Sequence, residues 1–90
     1  MRYTVVWKPA AESQLAAIWN SSSIRSAVTN AADSIDRALQ NDPVLRGESY
    51  TRTTRILIEW PLVITYRVFE PDRLVRVLSV DLSSQSPMQE

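Results

Sequence analysis

Ninety residues carry 10 Lys plus Arg against 10 Asp plus Glu, and zero net charge argues against capture of nucleic acid by bulk positive charge, though not against a local basic patch. Cysteine and histidine are both absent, which excludes disulfides, thiolate metal sites and histidine-based catalytic triads. The length predicts one thin-cored domain over residues 1–83, with no metal or cofactor site in view.

Tyr3, Val5 and Trp7 alternate with Thr4, Val6 and Lys8. This is a strand, apolar enough on both faces to predict a covered or central position. Its apolar run is too short for a secretory signal, and no 18-residue apolar stretch follows, so the expectation is a cytoplasmic chain without a membrane anchor.

Pro9 ends the strand and suits the first turn of a helix. Ala11, Leu15, Ile18 and Trp19 then form an apolar stripe at helical spacing, with Trp7 and Trp19 expected in the core. Asn20-Ser21-Ser22-Ser23 breaks the pattern and offers capping hydroxyls to a second helix. That helix shows its stripe at Ile24, Val28, Ala31, Ala32, Ile35 and Leu39, with Asp33 and Arg37 spaced to pair on the other side. Asp42-Pro43 should end it. Residues 44–54 read as a loop or irregular edge.

Three strands follow at Arg55–Trp60, Leu62–Phe69 and Leu74–Leu82. Pro61 marks the first turn and Glu70-Pro71-Asp72-Arg73 the second, and such short connections imply antiparallel neighbours. Residues 84–90 are polar, carry Pro87 and read as a flexible tail. The elements predict an α+β fold of order β-α-α-β-β-β. A helical hairpin packs on a mostly antiparallel four-stranded sheet, whose first strand lies beside the last. Apolar residues on both faces of the strands leave two readings: the sheet curls to close over its own extra residues, or the tail, a second copy or a partner chain covers part of the other side.

Arg55, Arg67 and Arg76 are mid-strand, where long basic chains are less expected than in loops. They are candidates for gripping phosphates or a partner's carboxylates, and Glu59 and Asp81 could instead neutralise them. Trp60 at a turn is a further candidate contact. Tyr50, in the loop, is free to meet a ligand. The single glycine excludes a glycine-rich phosphate loop.

The order of these pieces resembles the RelE/ParE superfamily of bacterial toxins over residues 3–82. Tyr3-x-Val5-x-Trp7 leads into the first helix, Ile35 and Leu39 precede Asp42-Pro43, and Gly47 follows closely. Leu62-Val63-Ile64-Thr65-Tyr66-Arg67-Val68 and Val75-x-Val77-Leu78-x-Val80 are similar to its late strands. The resemblance implies the toxin of a type II toxin–antitoxin pair, neutralised by a cognate antitoxin protein, of the kind called plasmid stabilization proteins. It implies DNA gyrase, or the ribosome and its mRNA, as target, with a homodimer open. Arg55, Arg67 and Tyr50 are the matches available for catalysis. The chain departs from the ribosome-dependent members where they place basic or aromatic groups: it has Val63, and Asp81-Leu82-Ser83-Ser84 after the last strand. Three readings follow: a toxin aimed at gyrase, a catalytically silent scaffold that only binds a protein partner, and an mRNA endoribonuclease with a diverged arginine site.

Overall fold

A computed structural model describes residues 2–83; the predicted tail at 84–90 lies outside the described residues. Strand β1 (Thr4–Trp7) leads into helix α1 (Pro9–Ser21) and helix α2 (Arg25–Asn41). A short turn of helix α3 (Pro43–Arg46) and a two-residue strand β2 (Glu48–Ser49) come next, then β3 (Arg55–Glu59), β4 (Leu62–Phe69) and β5 (Leu74–Leu82). The sheet has five strands in the order β1-β5-β4-β3-β2. The fifth is β2, which pairs antiparallel with β3 at the sheet's edge, in the stretch read as a loop or irregular edge.

The β3-β4-β5 meander is antiparallel, and β1 lies parallel to β5, pairing Val5 with Val75 and Trp7 with Val77. β1 is therefore an edge strand rather than a central one, and its outward Val6 is 43% exposed. The apolar residues on both of its faces had suggested more cover than it receives.

α1 begins at Pro9, whose missing N–H costs nothing at that position. The link to α2 differs from a simple serine cap. Ile24 is the N-cap residue and makes no side-chain cap, while the Ser22 hydroxyl accepts the Ile24 N–H. Arg25 sits in the first turn of α2, where a cation opposes the helix dipole, but it serves the end of α1 instead. Its Nε and Nη2 donate to the carbonyls of Trp19 and Asn20, each at 3.0 Å. Asp33 and Arg37 form no ion pair with each other.

The core lies between the helices and one face of the sheet. Ala11, Val28, Ala31, Ile35 and Leu39 pack against Leu57, Leu62, Ile64, Tyr66, Val75, Val77 and Val80. An irregularity in β5 places Leu78 as an extra residue, since Thr65 faces Ser79 while Tyr66 faces Val77. It returns Val80 to the buried side with Val75 and Val77, although strict alternation had grouped Val80 with Leu78. Tyr66 is fully buried and its hydroxyl donates to the Pro43 carbonyl at 2.6 Å, tying β4 to the start of α3. No helix among the described residues is long and apolar enough to cross a membrane.

Candidate functional site

Two surfaces stand apart from the core. The first is a groove of about 690 Å³ between α1 and α2. Leu15, Ala16, Val28 and Ala32 line it with the rings of Trp7 and Trp19. Trp19 was expected in the core, yet it is 41% exposed. It lines the groove between the two helices instead of the interior. Its indole N–H donates to Thr29 Oγ1 at 3.2 Å, and the Arg25 guanidinium covers its ring at 4.8 Å. Trp7 is half-buried and donates to Asp36 Oδ1 at 3.5 Å, while Gln40 Nε2 holds the other oxygen at 3.1 Å. Among the described residues, the charged ones on the groove are Glu12, Asp33 and Asp36, and no Lys or Arg lines it. An apolar floor under an acidic rim suits an amphipathic segment bearing cations.

The second surface is the sheet face away from the helices, over which no described element lies. Alternation with the buried Tyr66, Val75 and Val77 sends Arg67 and Arg76 outward, directly opposite each other in the β4–β5 ladder. Arg55 does not join them. It pairs with Tyr66 across the β3–β4 ladder, and its Nη2 donates to the Val44 and Gly47 carbonyls. That pins α3 and β2 onto the meander. Tyr50 is 63% exposed in the loop after β2. Trp60 is 38% exposed at the β3–β4 turn, the opposite end of the strands from Arg67. Near that far end Val63 faces Asp81 across the ladder. Glu59 and Asp81 make no ion pair with Arg55, Arg67 or Arg76.

The sequence had not singled out Glu12, Asp33 and Asp36 as one rim, because they come from two helices whose angle periodicity does not set. Phe69 and Arg52 were also passed over. The available signal was Phe69 two residues beyond Arg67 on the same strand face.

No family model and no curated protein matches the sequence. Solved structures do match the fold. A chain of the toxin–antitoxin complex RelBE2 from Mycobacterium tuberculosis superposes with TM-score 0.79 at 18% identity, over 94% of this chain and 95% of that one. A chain of the chromosomal ParDE system of P. aeruginosa gives TM-score 0.73 at 20% identity, over 92% and 98%. The isolated E. coli RelE toxin gives 0.65 at 12%, over 94% and 88%. The described fold is thus that of RelE/ParE toxins, matched over nearly its whole length.

Proposed function

We propose that this chain is the toxin of a type II toxin–antitoxin pair and that the groove between α1 and α2 seats its antitoxin. The observation that carries the reading is a full-length RelE/ParE fold bearing an apolar groove with Glu12, Asp33 and Asp36 on its rim. The occupant is an amphipathic helix of the antitoxin with apolar side chains toward Leu15, Trp19 and Val28 and with lysines or arginines toward the carboxylates. Rim charges of this kind set partner choice and association rate more than final affinity.

DNA gyrase is the better target than message. Cleavage through a neighbouring 2′-hydroxyl requires cations where negative charge develops and a group to deliver a proton. The chain has no histidine, and Val63 faces an acid, Asp81, where related enzymes carry basic or aromatic groups. The same observation favours a second reading, a scaffold without catalysis that only binds its partner.

Inducing the chain alone in its native host, and together with any small reading frame found adjacent to its gene, separates the two. The toxin reading expects growth arrest alone and rescue by the partner. It also expects Asp33→Lys to stay toxic while rescue weakens. Folded protein that leaves growth unchanged rejects the toxin reading, and a stable complex in that case supports the scaffold. Rescue undiminished by Asp33→Lys rejects the groove as the antitoxin's seat. Accumulation of cut message would overturn the choice of gyrase.

A further inference from the structure

Arg67 and Arg76 lie directly opposite on neighbouring strands, an arrangement that like charges oppose. Neither has a hydrogen-bond or carboxylate partner among the described residues. What positions both is one ring. The Arg67 guanidinium carbon is 4.9 Å from the centroid of Phe69, and that of Arg76 is 5.3 Å from it. Attraction to the ring steadies the two guanidinium planes and leaves their N–H donors free.

Arg67 also lines a shallow pocket of about 310 Å³ where β3 begins. Arg52 and the hydroxyl-bearing Ser49, Thr51 and Thr53 share that lining. So does Arg55, whose Nε is buried without a hydrogen-bond partner. Among the described residues, no Asp or Glu lines the pocket.

We propose that Arg67 and Arg76, with Arg52 and the hydroxyls of Ser49 and Thr53 in the adjoining pocket, form a site for phosphate groups. The cations follow one another from the loop to β4 to β5. A lone carboxylate would engage one guanidinium fork and leave the others idle. A ligand that satisfies all three carries several anionic oxygens, and hydroxyls beside arginines are the usual donors to phosphate oxygens. A second copy of the chain is a poor occupant, because two-fold docking on this face would bring like cations together. Phe69 acts as a positioning residue. The phosphates belong either to a nucleic-acid strand or to a compact polyphosphate. The site recognises without cutting, and it is independent of whether the chain arrests growth.

The test uses the full chain with two probes: a short fluorescent single-stranded RNA followed by anisotropy, and inorganic triphosphate followed by calorimetry. Both should bind, and binding should weaken as salt rises. Arg67→Ala and Arg76→Ala should each reduce affinity about tenfold or more, as expected for losing a charge-assisted contact. Phe69→Leu should reduce it by a smaller factor without moving the salt dependence. Arg37→Ala, on the exposed side of α2, should leave it unchanged. Arg67→Gln repeats the experiment if the alanine variant melts early. Tighter binding of the RNA assigns the site to a strand, and equal or tighter binding of triphosphate assigns it to a compact ligand. Failure of both probes to bind, an equal loss in Arg37→Ala, or poly-glutamate binding as tightly as either probe would overturn the proposal.

Discussion

Replacing Gly47 with alanine strikes the tightest joint in the fold. Gly47 has φ of −100°, open to any residue, so the penalty for a side chain there is one of space. A Cβ would press on the Tyr66 hydroxyl oxygen and would lie 2.8 Å from the Ile56 carbonyl oxygen. Ile56 is held in the β3–β4 ladder opposite Thr65, so the tyrosine must move more than the strand. That ring is wholly buried, and its hydroxyl bonds the Pro43 carbonyl at 2.6 Å. Crowding a packed site costs about 1–3 kcal/mol, and stranding a buried hydrogen-bonding group costs about 1–3 kcal/mol. Gly47→Ala should therefore destabilise by about 3 kcal/mol, which lowers Tm by roughly 12–24 °C in a domain this small. Tyr66→Phe alone should cost about 1.5 kcal/mol. Because the phenylalanine removes the worst overlap, the double variant should fall short of the sum by about 1 kcal/mol. Urea unfolding followed by tryptophan fluorescence measures all three. A Gly47→Ala loss under about 0.5 kcal/mol, or a strictly additive cycle, would refute the reasoning.

Ile35 is fully buried between α2 and the sheet, so Ile35→Asp should cost about 4 kcal/mol or more and leave the chain largely unfolded; an unchanged melting temperature would refute that core assignment. The Tyr3 hydroxyl donates to Glu70 Oε2 at 2.8 Å. That bond, with some desolvation and the Glu70 charge, raises the Tyr3 pKa above its ordinary 10.0, against a lowering by Arg73. A pKa higher in the folded state gives stabilisation that is complete below pH 10.0 and is lost as pH climbs through the folded value. Tyr3→Phe should remove that alkaline component, and NMR titration of the Tyr3 ring should show the delayed ionisation; a pKa at or below the ordinary one would reject it.

Much of the fold was legible because it rests on periodicity. Val28, Ala31, Ile35 and Leu39 mark one helix face, and Leu62, Ile64 and Tyr66 mark one strand face, whatever surrounds them. What depends on distant partners was not legible. Nothing local to Arg55 shows that the carbonyls of Val44 and Gly47 will take its guanidinium. Leu78 could not be recognised as an extra residue, because Leu78 and Val80 are each apolar enough for either face. Trp19 satisfied a helical stripe, yet it faces the groove between α1 and α2, a placement that depends on how the two helices pack. The meeting of Arg67 with Arg76 required the β4–β5 register, which turn residues alone do not set to within one position.

Among the described residues, the only ladder neighbour of β1 is β5, more than sixty residues further along the chain. During synthesis the first strand must therefore wait, unpaired, until Leu74–Val77 have left the ribosome. A message truncated before that point yields a product whose opening strand keeps its contacts to α2 but has no ladder partner. One edge of the sheet is thus completed only by the last strand to be made.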